Sequence, residues 1–322
     1  MKPRLQRSRR RLRLPALTVV LSLACGGLFP ARPALAQATV TLAESEWRQD
    51  LDAWRARRAQ EIDAPDGWLT LAGLEWLKPG ANSVGAAADN GIQLHAEAPG
   101  HIGILLVGNK TVQLLATIDG FPPDLTIDGQ PALEGPLVVG AKPSTIGWHG
   151  LSMVVLDRGG RYMLRIEDAD SPARKVFHGL NWYPADPQFS VEASWVPFNT
   201  PHVEAIPTAL GATLNLFSPG VAVFTLDGMK LTLQPVLENP GDKTLFFILG
   251  DATGKDATYA GGRYLHVPLP EHGLDKPAKL ILDFTRLENP ACAYTTYAAC
   301  PMPPEANRLP TAIEAGEKRF TP

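Results

Sequence analysis

Apolar residues Trp47, Leu51 and Trp54 recur at i, i+4 and i+7, and Thr41 and Glu44 stand ahead of them at capping-box spacing. This spacing predicts an amphipathic helix over about 44–61, ended by Pro65-Asp66-Gly67, with Arg55, Arg57 and Arg58 on its solvated face. From Trp68 onward the pattern changes to short runs of β-branched, aromatic and leucine residues, broken every ten or so positions by Gly, Pro, Asn or Asp. Candidate strands are 102–107, 111–117, 151–157, 161–167, 221–226, 231–237, 245–249, 258–266 and 279–284. Arg158-Gly159-Gly160, Asp227-Gly228 and Thr253-Gly254-Lys255-Asp256 carry hairpin signals. No helical crossover pattern separates the runs, which argues against a parallel sheet. The chain reads as mainly β, with antiparallel sandwich or barrel modules, one N-terminal amphipathic helix and a proline-rich C-terminal tail. A proline cluster between Asp170 and Pro187 places a module boundary there, giving helix plus first β-module at 40–175 and second β-module with tail at 176–322. Past Phe284 the chain is proline-rich but carries aromatics and cysteines, so it is expected to pack back onto the sheets.

The N-terminus changes the picture. Residues 1–14 hold seven basic residues and no acidic one, and run into an apolar stretch from Ala16 to Ala24 that is too short to span a bilayer. A small-residue site at Ala34-Leu35-Ala36 completes a signal peptide over 1–36, with cleavage before Gln37. Ser8-Arg9-Arg10-Arg11-Leu12 resembles a twin-arginine signal, although Arg13 stands where that pattern prefers an apolar residue, so ordinary secretion stays open beside it. Cys25 lacks the upstream leucine that lipid attachment wants. The expected location is periplasmic or extracellular. Cleavage removes eight of the 30 basic residues and none of the 33 acidic ones, leaving 22 against 33, formally −11. That balance disfavours a nucleic-acid partner, and no second apolar run is long enough for a membrane span.

Two resemblances bear on the modules. Leu77-Lys78-Pro79-Gly80, Val84-Gly85 and Ile127-Asp128-Gly129 resemble forkhead-associated sandwiches. Ala86 occupies the usual arginine position and no serine-x-x-histidine turn is present, so the resemblance implies the sandwich shape without phosphopeptide binding. Leu282-Asp283-Phe284, Asn289-Pro290, Cys292-Ala293-Tyr294, Cys300-Pro301, Pro303-Pro304, Asn307-Arg308-Leu309 and Ala315-Gly316-Glu317-Lys318 resemble the C-terminal signature of the DUF1684 family. Upstream, Gly67 to Leu77, Arg158-Gly159 with Arg161, Arg165 and Asp168, Phe177 with Trp182-Tyr183-Pro184, and Tyr259 with Gly261-Gly262-Arg263 match it as well. Thr285 and Leu287-Glu288 depart from its usual residues. The family name records an unknown function, so the resemblance implies architecture and candidate residues, and no reaction.

Cys292 and Cys300 are the two cysteines left after cleavage, an even count that suits a disulfide in an oxidising compartment. The resemblance extends to chains that are not exported, which keeps metal ligation or a nucleophilic role open for them. Seven histidines lie in the mature chain without metal-ligand pairing; His266 and His272 come closest. A Gly-x-Ser-x-Gly elbow is absent, and Gly250 to Lys255 falls one residue short of a phosphate loop, with Asp256 where Ser or Thr should follow. No nucleotide or flavin cofactor is implied, and no metal-site residues are assigned.

Strand alternation puts Arg161 and Arg165 on one face with Met163 and Glu167, close to Arg158 at the turn. Two guanidinium groups on one face can fork onto a carboxylate or phosphate, while Asp168 offers an internal partner. Arg263, Asp283, Asn289, Tyr294, Asn307 and Glu317 form a second group, read either as a polar pocket or as a clasp fixing the tail. The sequence thus favours an exported protein binding a small anionic or carbohydrate-like ligand through Arg158, Arg161, Arg165, Asp168, Arg263, Asn289, Tyr294 and Asn307. The alternative is a hydrolase with Asp283 and Glu317 as acid and base, or Cys292 as a free nucleophile. A purely structural role is the third reading, and protein partners are unspecified.

Overall fold

Past Trp68 buried and part-buried residues alternate along many of the extended runs, as at Leu151, Met153 and Val155, the pattern of a strand with one face in a core. The computed structural model of the protein describes residues 42–321. The expected export signal, its cleavage point, Cys25 and the capping Thr41 lie outside the described residues. The first element is the predicted helix, α1 (Leu42–Ile62). Its inward stripe runs through Trp47, Leu51, Trp54, Arg58 and Ile62, with Leu51 and Ile62 fully buried. This corrects the reading of the three arginines as a solvated face. Arg57 is exposed, but Arg58 follows Trp54 by four and Leu51 by seven, so helical geometry drives it inward.

Residues 71–168 form two sheets packed face to face. A six-stranded sheet runs in the spatial order 71–76, 161–168, 151–158, 145–148, 126–127, 130–131, and a five-stranded sheet in the order 92–93, 80–85, 103–107, 112–115, 135–137. All pairs are antiparallel except the short 84–85 with 92–93 contact. Alternate residues of both sheets, among them Val84, Leu105 and Leu114 from one and Met153, Val155, Leu164 and Ile166 from the other, share one core. Register is set by two-residue turns with left-handed backbone at both positions. Gly159 and Gly160 join 151–158 to 161–168 with φ of 66° and 84°, and Asp128 and Gly129 join 126–127 to 130–131.

Beyond residue 187 a four-stranded sheet takes the order 229–233, 213–226, 190–207, 278–283, and a two-stranded ladder pairs 244–249 with 263–268. Asp227-Gly228 forms the expected turn between 213–226 and 229–233. The third hairpin signal does not: Ala252–Lys255 is a 3-10 turn inside a long loop, and the strand expected over 258–266 starts at Arg263. The reason is Gly262, whose φ of +96° breaks the extended path and whose missing side chain leaves room for the Pro303 ring. Strand 244–249 is buried on both faces. Leu245, Phe247 and Leu249 point into the main core with Trp195, Phe224 and Leu282, while Phe246 and Ile248 meet Ile206 and Val236 on the other side. That explains its unbroken apolar run.

The tail packs back as expected. Phe284, Leu287, Leu309, Ile313 and Ala315 complete the main core, and backbone bonds tie Leu309 to Gly250, Glu317 to Leu287 and Gly316 to Tyr183. The result is a mainly β protein. Among the described residues no helix is long and apolar enough to cross a membrane.

Candidate functional site

The arginine face of strand 161–168 is occupied by its own neighbours. Arg161 lies over the Trp76 ring at 4.0 Å from its centroid, Arg165 bonds to Glu167, and Ser152 donates to the same Glu167 at 3.1 Å. Arg158 donates to the carbonyl of Asp157 at the turn. The internal partner is Glu167, two residues from Arg165 and therefore on its face; Asp168 points the other way and accepts from the Asp170 amide at 2.8 Å.

The second group separates into four hydrogen-bond centres. Asn307, 1 % exposed, accepts from the Gln234 amide and donates to the carbonyls of Gln234 and Ile248 at 2.8 and 2.9 Å, which pins the tail to the sheets. Asp283 accepts from Trp47 Nε1 at 3.1 Å, from Arg286 and from Thr285, so it anchors α1 and caps a 3-10 turn.

Arg263 is buried at the third centre. It donates to Asp251 Oδ2 at 2.7 Å, to Ile313 O at 2.9 Å and to Ala315 O, while Asp251 Oδ1 accepts from Thr253 and from the Ile313 amide. A buried charge needs such a partner.

Glu317 is the fourth. It accepts from the Asn289 amide at 3.0 Å, from Asn289 Nδ2 at 2.8 Å and from the Tyr294 hydroxyl. Arg58 Nε lies 3.9 Å from Glu317 and 3.5 Å from Glu288, and Arg58 Nη2 donates to Asn289 O at 2.8 Å. Burial pushes the Glu317 carboxyl up, against the pull of Arg58 and of its hydrogen bonds from Tyr294 and Asn289. Burial also pushes Glu288 up, opposed by Arg58 and by His266, which sits 3.8 Å away. Tyr294 is raised by burial and by the Glu317 charge, which keeps its hydroxyl a donor. Burial alone would lower Arg58; Glu288, Tyr294 and Glu317 outweigh it and the guanidinium is held charged.

Asp283 and Glu317 belong to separate networks with no shared partner. Cys292 and Cys300 form a disulfide with Cα atoms 6.0 Å apart, which holds the turn carrying Tyr294. Sequence reasoning missed Arg58, Asp251 and Glu288; the helical spacing from Leu51 and Trp54 was the signal for the first, while the other two carried none.

One open space adjoins this framework. A pocket of about 350 Å³ lies between the 250–263 loop and the 308–310 segment, with Arg263 and Asp251 among its walls and Lys255, Tyr259 and Arg308 around it. Gly250 and Arg308 are bridged in parallel, which brings the loop and the tail together at this point. Burial raises the Tyr259 phenol, so it too is a neutral donor. The glycine-containing stretch dismissed as a phosphate loop therefore still presents a lysine to a cavity.

Residues 175–318 match the family described as "Protein of unknown function (DUF1684)". The chain belongs to the DUF1684 family. The matched segment contains the four hydrogen-bond centres apart from Arg58 and Trp47, together with the whole lining of the 350 Å³ pocket. The chain is also similar to an uncharacterized protein from Haloarcula marismortui solved by solution NMR, at 32 % identity over 45 % of this chain and 78 % of that one, with a TM-score of 0.39. No curated protein matches it.

Proposed function

We propose that this DUF1684 protein binds a small anionic molecule, a carboxylate or phosphate, in the 350 Å³ pocket beside the tail. The observation that carries the reading is the charge left over there. Arg263 and Asp251 neutralise each other, whereas Lys255 has no ion pair among the described residues and the acidic neighbour of Arg308 is Glu305, 3.8 Å away and 97 % exposed. An ion pair that exposed contributes little, so two cations face the opening of a chain whose mature form is net negative. Tyr259 adds a hydroxyl donor and a ring edge for the body of the ligand. The N-terminal charge and apolar pattern supports action outside the cytoplasm, and the Cys292–Cys300 bond suits that compartment.

The hydrolytic alternative has less behind it. The Cys292 sulfur is committed to Cys300, and the two candidate carboxylates sit in different networks.

Calorimetric titration with inorganic phosphate and with succinate, with glucose as the neutral control, tests the proposal. Saturable binding of either anion, weakened about five- to tenfold by Lys255→Gln and by Arg308→Gln without a change in melting temperature, is the expected result. Equal binding of glucose, or anion binding indifferent to both substitutions, would refute it.

A further inference from the structure

The pocket assigned to an anion is larger than the anion itself. At about 350 Å³ it falls at the lower end of small-molecule sites, whereas a phosphate or carboxylate group fills only a part of such a space. The rest of its wall decides what body carries the charge.

Acceptors in that wall are already engaged. Asp251 Oδ1 accepts from Thr253 and from the Ile313 amide, and Oδ2 accepts from Arg263. The Thr258 hydroxyl is bonded to that of Thr253 at 2.8 Å. The carbonyls of Gly250, Tyr259 and Thr258 take the Leu309 amide, the Gly262 amide and Arg319 Nε. What faces a ligand is a set of donors: Lys255, Arg308 and the Tyr259 hydroxyl, which has no hydrogen-bond partner among the described residues. A body carrying several hydroxyls, a sugar above all, would bury them there without acceptors of their own, which leaves their desolvation uncompensated. Ala252, Ala260, Leu309 and Pro310 offer apolar surface instead.

Tyr259 is the aromatic residue of this wall, and a glycine fixes its position. A Cβ on Gly261 would stand 2.4 Å from Tyr259 Cε1 and 3.0 Å from Cζ, so the ring rests where a side chain is missing. The Gly262 amide closes the turn onto Tyr259 O at 3.1 Å. Tyr259 lines the pocket and Gly261 does not, so the ring stands between that glycine and the cavity and keeps its other side for a ligand. We infer that the ligand is an aromatic acid, a phosphate or carboxylate carried on a flat apolar ring. The inference rests on the anion reading of this pocket and narrows it: Lys255 and Arg308 hold the charge, and the ring lies against Tyr259, whose aromatic contact adds to what burial alone supplies.

Calorimetric titration of the full chain with phenyl phosphate against methyl phosphate, and with benzoate against acetate, compares equal charge with and without the ring and tells the two head groups apart; glucose 6-phosphate supplies a polar ring. In at least one pair the aromatic member should bind about tenfold tighter or more, and glucose 6-phosphate should gain nothing over methyl phosphate. Tyr259→Leu, which keeps apolar bulk but removes the aromatic ring, should cut the preference about three- to tenfold. Gly261→Ala, which pushes the Tyr259 ring off its seat, should cut it several-fold with the melting temperature unchanged. Lys255→Gln should weaken the aromatic and plain members of a pair alike and leave their ratio as it is. Saturable binding of methyl phosphate or acetate without any gain from the ring would overturn this inference and leave the anion reading standing, whereas failure of every anion to bind would overturn both. Glucose 6-phosphate binding as tightly as phenyl phosphate, or a ring preference intact in both Tyr259→Leu and Gly261→Ala, would also overturn it.

Discussion

Arg263→Met is the sharpest perturbation of the framework, because the two charges it separates are both inside. Arg263 and Asp251 have side chains 1 % and 2 % exposed. Removing the guanidinium leaves Asp251 with its Thr253 and Ile313 donors but no counter-charge, and strips the carbonyls of Ile313 and Ala315 of a donor. Breaking a buried pair from one side costs about 3–5 kcal/mol. For a chain of this size, about 2–4 °C of melting temperature goes with each kcal/mol, so the transition should fall by roughly 10 °C. Asp251→Asn keeps the Oδ1 acceptor and should cost less. Urea and thermal unfolding of wild type, both single variants and the double variant close a thermodynamic cycle. The double variant should recover part of the Arg263→Met loss, with a coupling above about 1 kcal/mol. A melting temperature within 2 °C of wild type for Arg263→Met, or strictly additive single effects, would show that the pair does not hold the tail.

Three further outcomes follow from the same contacts. The folded Glu317 carboxyl is raised above its ordinary value of 4.5, so its favourable contribution is complete below that value and is lost as pH rises through the folded one; Glu317→Gln should therefore gain stability relative to wild type as pH rises from about 4 to 8 in urea titrations, and a constant difference across that range would contradict it. Reducing Cys292–Cys300, which closes a separation of 8 residues, should cost about 2–3 kcal/mol on the chain-entropy model, read as a lower melting temperature in reductant that the Cys292→Ser/Cys300→Ser variant reproduces without reductant. Arg161→Ala should change stability by less than about 1 kcal/mol, because its stacking on the partly exposed Trp76 is a surface interaction; a larger loss in urea unfolding would mean that this face bears structural weight.

Much of the architecture was legible along the chain because strands and two-residue turns are local. Alternation at 151–158 and 161–168, and glycines at 159–160 and 228, describe hairpins whose register depends on residues a few positions apart. The helix was legible from Trp47, Leu51 and Trp54, yet the same periodicity reached Arg58 and was set aside for its charge, since a buried arginine is intelligible only once its acceptors are in view. Those acceptors come from residues 288, 289 and 317, more than 200 positions away.

The sequence by itself determined the β-rich class, the helix, the return of the tail and the residues of the family signature. Tertiary structure decided what those residues do. It turned Arg161 and Arg165 from a ligand face into paired neighbours, gave Arg263 to Asp251 and Glu317 to Asn289 and Tyr294, and left Lys255 without an ion pair among the described residues, and Arg308 with only the exposed Glu305, beside a cavity. The physical reason is that a charged side chain acquires its role from whichever opposite charge or donor folding brings within about 4 Å, and that distance is not written in sequence separation.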